Sequence, residues 1–280
     1  MNFQVLVLSP PGYVHAEAFS EVAETLLHGL RALGHDAVLT RGLSALPGRR
    51  PIVLGANLLP RLKVALPPDA ILYNLEQVER GSAWLSPDMV ALFKKYPAWD
   101  YSALNLRQWE SLGVPRPALV PISWTPELSR IPGDVAQDID VLFYGSLNPR
   151  RQAVLEALGN TGARVEALFG IYGAERDAAI ARSKLVLNLH FFEAKVFEAV
   201  RVSYLLGNGR AVVSETGASS EEEAAFSEGV AFAPYEQLVP TCLRLLADAP
   251  ARAALGEAGR RVMAGRPITA ALRGALPESA

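Results

Sequence analysis

Apolar residues recur along the chain in two alternating rhythms. Phe3-Gln4-Val5-Leu6-Val7-Leu8 is a short aliphatic run that predicts a buried strand. Ser9-Pro10-Pro11-Gly12-Tyr13 breaks it. Over residues 16–33, the apolar positions Phe19, Val22, Ala23, Leu26, Leu27 and Leu30 share one helical face. Gly34 stops that helix, and residues 36–40 begin a second strand. Apolar runs at 51–54, 70–73 and 118–120 then alternate with helical stretches at 87–96 and 103–112. Short strands alternating with helices predict a parallel sheet with helices on its faces.

Residues 113–137 hold Pro115, Pro117, Pro121, Pro126 and Pro132. Proline removes donors and disfavours helix just before it, so the reading places an interdomain linker at 123–138. After it the rhythm restarts. Strands are predicted at 139–144, 164–169, 184–189 and 211–214, and helices at 150–158, 174–182, 195–206, 236–247 and 251–263. Two α/β halves result, 1–122 and 139–265, followed by a tail at 266–280. Ligands of open α/β sheets bind beyond the carboxyl ends of the strands.

Composition narrows the class. Of 280 residues, 50% are hydrophobic and 20% charged, which excludes a disordered chain. A net charge of -2 creates no global field towards nucleic acid or an anionic membrane. The one cysteine, Cys242, excludes a disulfide framework and sits among leucines as a core residue. The 4 histidines are scattered, so no zinc motif forms. Neither first strand is followed by Gly-x-Gly-x-x-Gly, which argues against a nicotinamide enzyme, and no Gly-x-Ser-x-Gly elbow occurs. The first residues lack a basic leader, and no apolar run approaches membrane-spanning length; the expectation is a soluble cytosolic protein.

The candidate chemistry concentrates in two places. Asn188 and His190 end an apolar strand, and Glu198 follows on a helix that is apolar nearly all round. Glu198 and Arg201, three apart, are charges that such a helix must explain. They either pair with each other or serve a ligand with hydroxyls for the carboxylate and phosphates for the guanidinium. Gly145-Ser146 allows backbone to approach a phosphate at the start of the following helix, and Arg150 and Arg151 add positive charge there. Tyr172, in a Gly-flanked segment after a strand, is either a turn residue or a platform for a base. In the first half, Gly12 and Tyr13 form a tight loop, and His15 is either a general base or an ordinary first-turn histidine. His28 and His35 read as structural. Glu76 and Asp100 are loop or strand-end carboxylates at the rim of the expected cleft that either contact an acceptor, serve as base, or cap a helix or turn. Ser219-Ser220-Glu221-Glu222-Glu223 is a capping box, and Trp84, Trp99, Trp109 and Trp124 read as packing residues.

Residues 186–214 resemble the donor-binding half of GT-B glycosyltransferases. Many of these carry a Glu, seven residues, a second Glu opening a helix, and later a Gly-x-Pro-Val-Val strand. His190 stands at the first acidic position, Glu198 at the second, and Gly209-Arg210-Ala211-Val212-Val213-Ser214-Glu215 at the strand. Residues 140–151 resemble the first strand and loop of the same domain. Pro10-Pro11-Gly12-Tyr13 with His15, Tyr73-Asn74-Leu75-Glu76-Gln77, and Trp99-Asp100-Tyr101-Ser102 with Asn105 are similar to a group of small bacterial glycosyltransferases associated with surface polysaccharide.

The resemblance covers nearly the whole chain. It implies an α/β fold of GT-B type: two Rossmann-like domains with parallel sheets facing a central cleft, the tail crossing back to the first. It also implies metal-independent transfer of a sugar from a nucleotide-diphosphate sugar to an unidentified acceptor, without a cofactor, in the cytoplasm or peripherally at the inner membrane face. Glu198 would hold the ribose, and Arg201 would orient it or touch phosphate. Arg150 or Arg151, with Gly145, Ser146 and Asn148, would hold the diphosphate. Tyr172 and Asn188 would complete the donor site. His190, departing from the acidic pattern, would approach the sugar and, with His15, is a catalytic candidate. Gly12, Tyr13, Glu76 and Asp100 would serve the acceptor side. Two alternatives stand beside this: a non-catalytic scaffold that kept the fold, which His190 in place of an acid favours, and a DNA-base glycosyltransferase, which the acidic balance disfavours.

Overall fold

A computed structural model describes residues 1–62, 64–79, 85–191 and 197–276. The chain forms two compact units, Met1–Thr125 with Pro267–Ala280, and Pro126–Arg266.

The first unit is built on strands β1 (Asn2–Leu8), β2 (Asp36–Gly42), β3 (Arg50–Leu54), β4 (Ile71–Asn74), β5 (Ala98–Asp100) and β6 (Ala118–Leu119), in the order β2-β1-β3-β4-β5-β6. Every pairing is parallel. Inner strands of such sheets are covered on both faces, which is why β1 is nearly continuous apolar sequence. Helix α1 (Ser20–Ala32) starts later than its periodicity suggests, because Val14–Phe19 is a tighter 3-10 turn. Helices α2 (Pro87–Lys95) and α3 (Ala103–Ser111) are each capped by a serine hydroxyl: Ser86 accepts from the Met89 amide at 3.2 Å, and Ser102 from the Asn105 amide at 3.3 Å. Phe93 of α2 stacks on Trp109 of α3 with ring centroids 4.5 Å apart. Strand β5 escaped the sequence reading because three residues carry no period. Trp99, Trp109 and Trp124 are buried, in line with a packing role; Trp84 lies outside the described residues. A closing helix, Ile268–Ala275, packs on α1 where Gly29 leaves room for the side chains of Ile268 and Leu272.

The second unit is a five-stranded parallel sheet of β7 (Ile139–Tyr144), β8 (Val165–Leu168), β9 (Ser183–Asn188), β10 (Val212–Glu215) and β11 (Val230–Ala233), in the order β11-β10-β9-β7-β8. Its helices are α4 (Pro149–Asn160), α5 (Gly173–Arg182), α6 (Ala199–Gly207), α7 (Ser220–Ala224), α8 (Leu238–Ala247) and α9 (Ala249–Ala264). The reading began α6 at 195; residues 195 and 196 lie outside the described residues, and the helix is formed from Ala199. Cys242 is fully buried, and burial pushes its thiol up to about 12, which leaves it a packing group.

Of the linker read at 123–138, residues 126–138 are tied to the second unit and 123–125 belong to the first. The Asn208 side-chain carbonyl accepts from the Arg130 and Ile131 amides at 2.9 Å each. Arg210 donates to the carbonyls of Ile131 and Pro132, and Gln137 to that of Ser183 at 2.9 Å. Polar side chains thus satisfy the backbone of a proline-rich segment that cannot build a ladder of its own.

Helix α9 approaches its neighbours through glycines. A Cβ at Gly256 would collide with the carbonyl oxygen of Gly209, which is backbone and cannot rotate aside. Helix propensity alone favours alanine there by about 1 kcal/mol. Gly256→Ala is nevertheless expected to destabilise the chain by about 1–3 kcal/mol in urea denaturation. A stabilised variant would contradict the close packing.

Candidate functional site

The neighbouring carboxyl ends of β7, β9 and β10 collect the polar residues of the second unit. Gly145 leaves β7 with a φ of 138°, a backbone conformation that side chains rarely adopt. Asn148 then caps α4 by accepting from the Arg151 amide at 2.8 Å. Asn188 ends β9, with His190 two residues on; Glu215 ends β10; Glu198 precedes α6, and Arg201 stands in its first turn.

Asn188 organises the centre. Its amide donates to Glu198 Oε2 at 2.9 Å and to Ser214 Oγ at 3.0 Å, and its oxygen accepts from Arg201 Nη1 at 3.1 Å. His190 is only 1% exposed. Its Nε2 lies 3.1 Å from the Glu215 carbonyl and so carries a hydrogen. Its Nδ1 lies 3.1 Å from Glu198 Oε2, in ion-pair range but poorly aligned for a hydrogen bond. Glu198 keeps 22% of its side chain exposed. Desolvation pushes its pKa up, but His190, Arg201 and Asn188 together outweigh it and hold the carboxyl below its ordinary value. Glu198 is therefore an ionised acceptor with one oxygen engaged by Asn188.

Arg150 and Arg151 are both committed. Arg151 is buried, and it donates to the carbonyls of Ser146 at 2.7 Å, His190 at 3.4 Å and Leu189. Burial first, and the charge of Arg201 second, lower its pKa to about 10, so it remains a cation at neutral pH. Arg150 makes a bidentate pair with the fully buried Glu215, one arm at 2.6 Å, and stacks over the Tyr235 ring at 4.0 Å. The guanidinium bordering the bare Gly145 is that of Arg201: a Cβ there would lie 3.0 Å from its Nη2 and 3.5 Å from Arg151 Nη1. Two like charges thus approach the same glycine backbone, closely enough that a side chain there would crowd Arg201. Ser146 offers its carbonyl inward, and Tyr172 stands just before α5, beyond the carboxyl end of β8.

The acceptor-side candidates of the first unit separate. Asp100 is fully buried and accepts from the Ser102 amide at 2.9 Å, Asn74 at 2.7 Å, Asn105 at 3.0 Å and Trp109 at 2.8 Å. It is a structural lock rather than a rim carboxylate. Burial lifts its pKa to about 6 despite those four donors. The lock holds Glu76: Asn74 and Asn105 donate to the Glu76 carbonyl at 2.8 and 2.9 Å, and Asn74 accepts from its amide at 3.3 Å. The Glu76 carboxyl itself is half-buried, and desolvation alone raises its pKa. Gly12, with φ 78°, lets the turn from Pro10 close onto the Tyr13 amide at 3.0 Å. His15 is exposed on the following turn, edge-on to Tyr13.

Glu215 and Ser214 were quoted in the strand motif, but no role was read for them. A carboxylate closing a fully apolar strand was the available signal, the same one that marked Asn188 and His190. Among the described residues no cluster of metal-ligating side chains occurs, and no helix is long and apolar enough to cross a membrane.

Comparison with known proteins defines the class. The chain superposes over 98% of its length on 97% of Anabaena Alr3699/HepE, crystallised with UDP and glucose, with a TM-score of 0.63 and 10% identity. It covers 95% of AviGT4, a glycosyltransferase of avilamycin A biosynthesis, with a TM-score of 0.55 and 18% identity. It covers 99% of WaaG, a glycosyltransferase of lipopolysaccharide biosynthesis, with a TM-score of 0.55 and 13% identity. The fold is that of the GT-B glycosyltransferases. No protein-family model matches the sequence. Curated relatives include the uncharacterized proteins L138 and L140 of Acanthamoeba polyphaga mimivirus, 31% identical over 116 residues and 29% over 118. The matches take in 40% and 41% of this chain but only 13% and 39% of those proteins. These relatives are viral, so they lend no support to the bacterial grouping.

Asp100→Asn turns one acceptor oxygen into a donor facing donors. We expect a loss of about 1–3 kcal/mol at neutral pH. Because the folded pKa is raised, the Asp100 carboxyl stabilises the fold most below about pH 4, and that contribution fades as pH rises through about 6. The deficit of the variant should therefore shrink over that window in denaturant titrations. A deficit constant from pH 4 to 7 would contradict the assignment.

Proposed function

We propose that the chain is a glycosyltransferase that moves a sugar from a nucleotide-diphosphate sugar to an acceptor hydroxyl. The observation that carries this reading is Glu198, an ionised and partly exposed carboxylate three residues before Arg201, which packs on Gly145, at the ligand-binding end of a parallel sheet. Its Oε1, 3.7 Å from Arg151 Nη2, retains acceptor capacity that suits vicinal ribose hydroxyls. Arg201 and the Gly145 backbone suit the diphosphate, whose charge grows as the sugar leaves, and fixed cations aimed at that charge lower the barrier. In this reading guanidinium groups supply that stabilisation without a metal. His190, buried between Glu198 and Glu215, keeps Glu198 oriented instead of reaching the sugar.

On the acceptor side, Glu76 is the group suited to receive the hydroxyl proton. It stands just past the carboxyl end of β4, its backbone is held on both sides, and among the described residues no cation or donor occupies its carboxyl. Desolvation moves it towards the neutral range in which a general base works best.

Glu198→Gln is expected to weaken binding of the preferred member of a panel of UDP, GDP, dTDP, ADP and CMP at least tenfold by titration calorimetry, about 1.4 kcal/mol. Unchanged affinity would remove Glu198 from the ribose site. If the wild-type chain binds no nucleotide or nucleotide sugar, the scaffold reading takes over. Glu76→Gln should lower kcat by about 10²–10⁴ with little change in donor KM. The wild-type rate should fall on the acid side at a pH above the ordinary carboxylate value of about 4.3, and that limb should vanish in the variant. A variant of normal kcat would end this role.

A further inference from the structure

At the amino-terminal ends of β9 and β10, the opposite end of this sheet from Glu198, lies a cavity of about 220 Å³. Ser183, Lys184, Gly209, Arg210, Ala249 and Arg252 line it. Three of its lining residues, Lys184, Arg210 and Arg252, are cationic. Lys184 is matched, its Nζ 2.7 Å from Asp140. Arg252 is anchored through Nη1 to the carbonyls of Leu245 and Leu246 at 2.7 Å each, which brings no countercharge.

Arg210 is the anomaly. It is 8% exposed. Nη2 serves the carbonyls of Ile131 and Pro132, yet Nε is buried without a partner. Desolvation, and then the charge of Arg260 packed over Gly209, hold its pKa below the usual guanidinium range. Among the described residues no carboxylate pairs with it: Glu257 lies 3.8 Å from Arg260, and Asp248 caps α9 through the Ala251 amide at 2.9 Å. A buried cationic donor left unpaired is costly, and native structures seldom keep one without a ligand or water for it. Ala249, Arg252 and Ala253 also bring the first turn of the 16-residue α9, with the positive end of its dipole, to the same cavity.

We propose that this cavity is a second anion site, distinct from the donor site, that binds a phosphoryl group. Arg210 and Arg252 hold the oxygens from two sides, while the dipole of α9 is already met by its capping Asp248. The volume suits inorganic phosphate, pyrophosphate or the phosphate end of a small sugar phosphate; it is below the usual range for a whole nucleotide sugar. The inference stands whether or not the chain proves to be a glycosyltransferase.

The test is calorimetric titration of the full chain with inorganic phosphate, pyrophosphate and glucose 6-phosphate at constant ionic strength, with chloride as the balancing anion. Three variants are compared. Ala253→Glu places a carboxylate on an exposed lining position with little risk to folding. Arg210→Gln removes the unpaired cation. Arg201→Gln disables the donor-side cation. We expect saturable binding of at least one probe, weakened tenfold or more by Ala253→Glu and by Arg210→Gln but retained in Arg201→Gln. Tighter binding of glucose 6-phosphate than of inorganic phosphate would identify a sugar phosphate as the occupant, and the reverse order the free ion. Absence of saturable binding would show that water alone meets Arg210 and would overturn the proposal. Binding lost in Arg201→Gln but intact in Ala253→Glu would assign it to the donor site and overturn the proposal equally.

Discussion

The second unit depends on one buried cation. Arg151 sits on the first turn of α4 with almost no solvent exposure, and a guanidinium in that position is tolerated only if its donors are met. They are met by carbonyls from two separate segments: Ser146 in the loop after β7, and Leu189 and His190 at the exit of β9. Glu198 adds a charge at 3.7 Å. The cation therefore stitches the two strand exits together beside Gly145. Without it, the loops after β7 and β9 would be joined by the contacts of Asn148 with the Phe191 carbonyl and Arg150 with the His190 carbonyl, at 3.2 and 3.5 Å.

The remaining charges follow from that constraint. Glu215 is fully buried and needs a cation, which Arg150 supplies with a bidentate fork. Asn188 divides its amide between Glu198 and Ser214, and its oxygen takes Arg201, so the carboxylate and guanidinium of α6 are held by one neutral residue rather than collapsing onto each other. This arrangement leaves both charges able to meet a ligand. The first unit solves a parallel problem with Asp100, whose four donors come from β4, α3 and the intervening turns and which thereby holds the backbone of Glu76. In both units a buried, saturated charge positions a more accessible carboxylate.

The same logic gives meaning to the charge that is not saturated. Arg151, Arg150 and Asp100 show how thoroughly this chain meets its buried ionic groups. Against that standard Arg210, whose buried Nε has no partner and which lines a cavity with Arg252 and the start of α9, is an exception with its own location at the far end of the sheet. The GT-B fold shared with HepE, AviGT4 and WaaG accounts for the architecture, not for this feature, since similarity of that degree speaks to fold alone.

Local sequence determined the alternating strands and helices, since a buried parallel strand must be continuously apolar and an amphipathic helix must repeat near every fourth residue. The presence of β1–β4, β6 and β7–β10 along the chain, and the Gly145 break, were legible for that reason. So was the concentration of polar groups at Asn188, His190 and Glu198, because charges interrupting apolar runs stand out. Strands β5 and β11 were not legible, being too short to show a period; that the tail returns to the first unit came from the resemblance alone, and its helix draws its stability from α1, far away in sequence. Spacing could not tell Arg150 from Arg151, which are adjacent; the path of α4 across the sheet buries one and turns the other onto Glu215. Nor could it show that Asp100 is sealed while Glu76 stays available, or that His190 faces two carboxylate-bearing residues and not open space. Those outcomes depend on desolvation and on partners brought from distant parts of the chain, and only the packed tertiary structure decides them.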